Sequence, residues 1–177
     1  MAILIEGLSV VVRCQSIVQK TIGGVDAFKA SLPNDTLRSD GEIAAVHFMT
    51  PADTKAYVLQ LVKVGLVYRA DEGAPVDIAV VDQRSGPTVP CDWLDFGEAD
   101  WDNDPEQVIS VCCARPTRTG RIVVPEGWVY KDSLTANAQF VAGNAIPPEL
   151  QFLRHQDGVD VLLDTRTGRE YFVRRNV

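Results

Sequence analysis

Asp100, Asp102 and Asp104 sit at alternate positions, the spacing of the first oxygen donors in a calcium-binding EF-hand loop. Such a loop also needs a glycine sixth, for its sharp turn, and a bidentate glutamate twelfth. Counted from Asp100, the sixth residue is Pro105 and the twelfth is Val111. Both essential positions fail, so the three acids read as a solvated turn leading into a strand over 106–114, with adventitious cation contact as the alternative and no built metal site.

Cysteine chemistry is the next candidate. Cys14 closes an apolar stretch and opens a helical one, where a helix dipole can lower a thiol pKa. Lys20 follows at the C-x5-K spacing, which invites comparison with the C-x5-R loop of cysteine phosphatases. That loop needs small residues so that successive amides can curl round a phosphate. The intervening QSIVQ has two β-branched residues and no glycine, and lysine lacks the bidentate fork of arginine. Cys14 therefore reads as a small buried hydrophobe. Cys112 and Cys113 are adjacent, so on a strand they point to opposite faces and cannot share a metal. With no C-x-x-C and only two histidines in the chain, no structural metal and no cofactor is expected.

His47 lies in the apolar AAVHFM and reads as a satisfied sheet histidine. His155 with Asp160 resembles a base and its orienting carboxylate, but no nucleophile is placed beside them. TIGGVDAFK lacks both the dinucleotide and the P-loop glycine patterns. The stretch DQRSGPTVPCDW, 82–93, follows an expected strand, and loops after strands often carry function. If the chain has a ligand pocket, its candidate residues are Cys14, His47, Arg84 and Cys91.

Charge gives the clearest lead. WLDFGEADWDNDPE, 93–106, holds six carboxylates and two tryptophans with no cation. From Asp71 to Glu106 there are eleven acids and one base, Arg84, in a chain of net charge −7. The remainder of the chain is therefore net positive, and the negative charge is a local block. The total argues against nucleic acid, whose binding rests on Lys and Arg displacing counterions. Aromatic residues anchor interfaces, and carboxylates steer and select a basic partner. The expected docking residues are Trp93, Asp95, Glu98, Asp100, Trp101, Asp102 and Asp104.

These residues must be positioned by the fold. Residues 1–14 read as a first strand centred on GLSVVVR, and a basic leader is absent. Helical spacing then covers CQSIVQKT and VDAFKASL, interrupted at Gly23-Gly24. EIAAVHFM is a second strand. Thr50, Pro51 and Asp53 form a helix start, and Gly65 a stop. LVYR, 66–69, and VDIAVVD, 76–82, read as strands, and 83–105 as a long ordered loop. QVISVCCA and GRIVVP are strands, 133–141 a short helix and AGNAIPP a connector. ELQFLRH, VDVLLD and REYFVRR form a meander, with Asp157-Gly158 as its first turn. That turn sets Leu153 opposite Leu162 and His155 opposite Asp160.

The expectation is an α+β fold: a mixed or antiparallel sheet, two helices on one face from the first half, and a C-terminal β-meander. It is expected as one domain over 1–177, with possible sub-lobes 1–82 and 106–177 joined by the acidic loop. Hydrophobic residues at 46% and charged residues at 23% are ordinary for a soluble protein. No apolar run is long enough for a bilayer, and reduced thiols fit a cytoplasmic setting. The leading function is a non-catalytic interaction protein, of inhibitor, immunity or adaptor type, that docks a basic protein partner. A small-molecule binder or enzyme using the four pocket residues is the alternative. A homo-oligomer fits either.

Overall fold

The computed structural model describes residues 1–177 except 72, 117–119, 142–149, 157–158, 166–167, 169 and 175–177. The expected first strand is two strands. β1 (Ala2–Ile5) and β2 (Leu8–Arg13) belong to different sheets, separated at Glu6-Gly7, where Gly7 takes φ 53°. α1 (Cys14–Lys20) and α2 (Gly24–Ala30) follow, divided by a left-handed Gly23. β3 (Arg38–Ser39) and β4 (Ile43–Phe48) lead to α3 (Pro51–Lys63). The Thr50 hydroxyl caps α3 by accepting the Asp53 N–H at 3.1 Å and donates to the Asp53 carboxylate at 2.7 Å.

Residues 66–69, expected as a strand, form no strand: one isolated bridge joins Arg69 to Pro75, and the Tyr68 and Val67 carbonyls accept the Val76 and Asp77 N–H groups. β5 (Ile78–Asp82) follows. The expected loop 83–105 instead holds β6 (Gly86–Pro87), β7 (Leu94–Asp100) and a short 3-10 turn, Trp101–Asn103. β8 (Val108–Ala114), β9 (Ile122–Val123), α4 (Leu134–Asn137) and β10 (Ala138–Val141) come next, so the expected helix 133–141 is half strand. β11 (Leu150–Gln156), β12 (Val159–Asp164) and β13 (Glu170–Arg174) form the antiparallel meander. His155 faces Asp160 as read from the sequence, but Leu162 faces Phe152, because the register shifts between Phe152 and Arg154. The Asp157-Gly158 turn and AGNAIPP lie outside the described residues.

The architecture is mixed α+β, with three sheets among the described residues. A five-stranded sheet runs β3-β4-β2-β5-β6, a four-stranded sheet β7-β8-β1-β9, and a second four-stranded sheet β10-β13-β12-β11. The five-stranded sheet is central. Val10, Val12, Ala44, Val46 and Ile78 pack under Ile17, Phe28, Val58 and Leu61 of the helices. Val11, Ala45, Ala79 and Val81 pack the other way, against Ile3, Ile5, Leu94 and Cys112. Strands covered on both faces read as unbroken apolar runs, as β2, β4 and β5 do.

Two buried charges hold these layers. Arg38, 2% exposed, lies on the strand-sheet side of the core. A buried cation costs several kcal/mol unless its donors are used. Arg38 donates to the Leu4 carbonyl at 2.6 Å, the Thr36 carbonyl at 3.0 Å and the Ser9 hydroxyl at 2.7 Å. Burial pushes its pKa down to about 10, against the pull of the Glu6 carboxylate. Glu6 is buried too, and accepts from the Thr135 N–H and hydroxyl and from the Trp128 indole. Gln83 binds the Gly7 N–H and the same Thr135 hydroxyl. The chain entering the third sheet is thus tied to the break between β1 and β2.

Candidate functional site

The acidic segment is an edge strand. Among the described residues β7 is the terminal strand of its sheet, paired only with β8. The Arg115 N–H donates to the Trp93 carbonyl, and the Trp101 N–H to the Gln107 carbonyl. Backbone bonding alternates along an antiparallel pair. Odd positions from Trp93 to Trp101 therefore bond to β8, and the backbone groups of Phe96, Glu98 and Asp100 point away from it. An edge of this kind is a template for another strand.

Side chains alternate in the same way. Leu94 is 2% exposed, and Phe96 packs on the inter-sheet core. Farther along the same face Glu98 and Asp100 are exposed, as is Asp102 in the turn. The two exposed side chains of β7 are thus both carboxylates. Burying either without a counter-charge would cost several kcal/mol, so the core ends where they begin.

Asp95 and Asp104 have internal duties. Asp95 is half-buried and meets the Arg115 guanidinium at 2.6 Å. Asp104 accepts the Glu106 N–H at 3.0 Å and the Gln107 amide at 2.7 Å. Asp102 and Asn103 both take positive φ, 54° and 57°, which short polar residues tolerate. The Asp104 N–H then donates back to the Trp101 carbonyl and closes the turn. The aspartate triad is therefore a hairpin turn. Among the described residues no group of three or more His, Cys, Asp or Glu is placed to hold a metal ion.

Both tryptophans anchor the segment. The Trp93 indole donates to the Pro75 carbonyl at 2.9 Å, and the Arg13 guanidinium lies 5.7 Å from its ring centre. Trp101 packs on Trp128, which in turn meets Tyr130. Trp128 and Tyr130 were not singled out from the sequence. They follow the GRIVVP strand in a stretch with no periodicity, which gave no pattern to find them by.

The four pocket residues occupy separate places. Cys14 lies beside Ser39 at the end of β2 that faces Ile43, while His47 is opposite Ser9. Five residues of strand separate the two levels, about 16 Å. Arg84 is exposed on the β5–β6 turn. Cys91 lines a cleft of about 630 Å³ between β6 and the first half of β7, with Pro87, Pro90, Asp92, Asp95 and Phe96. Neither that cleft nor the one at His47 contains another of the four. Burial raises the thiol pKa of Cys14 and of Cys91, which is the opposite of nucleophile activation. Burial likewise raises that of Cys112, which is fully covered, while its neighbour Cys113 is half-buried on the other face. His155 and Asp160 form an exposed 2.8 Å pair on the meander.

No family profile, no curated protein and no solved structure matches this chain. No helix among the described residues is long and apolar enough to cross a membrane.

Proposed function

We propose that this chain is a non-catalytic interaction protein that docks a basic, extended segment of a protein partner along β7. The observation that carries the reading is the open edge itself. Its outward backbone groups belong to Phe96, Glu98 and Asp100, and the exposed side chains there are acidic. Strand addition takes affinity from main-chain hydrogen bonds and specificity from alternate side chains. Here the side chains select for Lys or Arg. The same charges repel a second β7, so the edge is protected against pairing with itself yet open to a cationic strand. The cleft between β6 and β7 lies alongside, walled by Pro87, Pro90 and Phe96. It suits one apolar anchor of the bound segment. Trp101 and Asp104 hold the far end in place, which limits the entropy lost on binding.

The test is titration of a labelled eight-residue peptide of alternating Lys and Val, against the same peptide with Glu for Lys. The basic peptide is expected to bind saturably and more weakly as salt rises. It should slow amide exchange at Phe96, Glu98 and Asp100. Glu98→Lys with Asp100→Lys should abolish binding. Equal binding of both peptides, or binding indifferent to the charge reversal, overturns the reading.

A further inference from the structure

A second cleft, of about 430 Å³, lies on the opposite side of the central sheet from β7, between the α2–β3 loop, the end of β4 and α3. Its volume falls in the range of small-molecule sites. Four α3 residues line it at helical spacing: Asp53, Ala56, Tyr57 and Gln60. Phe48, Met49 and Asn34 complete the wall. β3 is too short to cover this part of the β4 edge. The Thr36 hydroxyl accepts the His47 N–H, and the Asn34 amide donates to the His47 carbonyl. The edge is thus closed by short polar side chains, and room is left beside it.

His47 contributes backbone here more than chemistry. Ile43 and Ala45 on β4 face the other sheet, and His47 shares their parity. Its Nδ1 lies 3.5 Å from the Arg38 guanidinium, which can only donate. The imidazole thus faces away from α3, and burial, then the Arg38 charge, holds it neutral.

The polar groups on the α3 side are acceptor-rich. One Asp53 oxygen receives the Thr50 hydroxyl, which leaves the other for a ligand. The Gln60 amide nitrogen donates to the Ser31 carbonyl, leaving its oxygen. The Tyr57 hydroxyl is buried with no hydrogen-bond partner among the described residues. Tyr57 is 2% exposed. An orphaned buried hydroxyl is costly, but this one has no accessible surface and so lies behind the cleft wall, out of a ligand's reach. The Phe48 and Tyr57 rings, with centroids 5.4 Å apart, form a mostly buried aromatic floor beneath the cleft. Among the described residues no Lys or Arg lines the cleft.

We propose that this cleft binds a small organic ammonium ion, held by the Asp53 carboxylate and the Gln60 carbonyl oxygen, with Phe48 and Met49 beside its carbon body. Asp53 lies in the first turn of α3, whose dipole places about half a positive charge there. The full negative charge of the carboxylate outweighs it, so the local field still favours a cation. The site is independent of β7, and either can fail without the other.

The test uses benzylammonium as probe, with benzyl alcohol and benzoate as controls, followed by backbone amide NMR. Benzylammonium is expected to shift Asn34, Asp53, Ala56, Tyr57 and Gln60 saturably. Asp53→Asn keeps the capping acceptor and should weaken the amine about tenfold, the size of one charge-assisted contact. Ala56→Leu, on an exposed helical position, fills the mouth and should abolish the shifts while the fold persists. Tyr57→Phe should leave the amine's affinity unchanged and raise the melting temperature of the free protein, since it removes an orphaned hydroxyl that the cleft does not reach. Shifts that are absent or unsaturable, equal shifts from benzyl alcohol or benzoate, or indifference to both Asp53→Asn and Ala56→Leu overturn the proposal.

Discussion

Trp101 meets Trp128 edge to face, with ring centroids 4.8 Å apart and planes at 77°. This contact ties the tip of the acidic hairpin to a segment beyond β9. The Trp128 indole in turn donates to buried Glu6 at 3.2 Å. Removing a buried tryptophan costs about 3–5 kcal/mol. Trp101 is half-buried, so Trp101→Ala should cost about 2 kcal/mol in urea unfolding. Amide exchange at Asp102, Asn103 and Asp104 should also accelerate. Unchanged stability would mean that the rings touch without anchoring.

The acids of the ridge divide into two groups by what they touch. Glu98, Asp100 and Asp102 are exposed, whereas Asp104 accepts two hydrogen bonds inside the turn. Glu98→Gln, Asp100→Asn and Asp102→Asn together should leave stability within about 0.5 kcal/mol. Asp104→Ala alone should cost about 1 kcal/mol. A loss of several kcal/mol in the triple variant would make the exposed acids structural and remove the main support for docking.

Much of the fold was legible because β2, β4 and β5 are covered on both faces and α3 carries its own cap. β7 was not. Asp, Glu and Gly are poor strand formers, and LDFGEAD has three acids and a glycine in seven residues. Pairing with β8 overrides that preference, and only Leu94 and Phe96 hint at the alternation. The break at Glu6-Gly7 was hidden for a related reason: a single acid in an apolar run looks like an interruption rather than a buried anchor. Arg38 sat in a stretch of turn formers, PNDTLRSDG, and nothing local indicates that its guanidinium is buried. Its acceptors come from Leu4, Ser9 and Thr36, two of them some thirty residues away. The candidate pocket was assembled from reactive residue types, and types alone carry no information about which end of a strand they occupy.

The thiols should be inert in graded order. Cys112 is fully covered and its pKa is raised by burial, and Cys14 and Cys91 are raised as well. At neutral pH a thiol reagent should label Cys14 and Cys91 slowly and Cys112 only on unfolding. Cys14→Ser should cost roughly 1–2 kcal/mol, because Cys14 packs against the helix-side core. Rapid labelling of native Cys14 would instead reveal an activated thiolate.

His47 and Asp77 should separate the acid limb of stability into two windows. Burial, and then the nearby Arg38 charge, push the His47 pKa from 6.5 down to about 3. Between those values the unfolded chain binds a proton that the folded chain refuses, so stability falls as pH drops through that window. The slope is at most about 1.4 kcal/mol per pH unit from this one group. Asp77 acts lower. Burial pushes its carboxyl up, but hydrogen bonds from Lys20, Ser16 and the Val67 N–H outweigh that and hold it below its usual value. Its contribution is present above the unfolded value of 3.8 and is lost as pH falls through the folded one. His47→Gln keeps a group able to face Arg38 but cannot titrate. Urea unfolding at pH 7.0, 5.5 and 4.5 should therefore show wild-type stability declining across the series and the variant nearly flat. Equal slopes for the two proteins would show that His47 charges freely in the folded state, and the imidazole would then have to face water rather than Arg38.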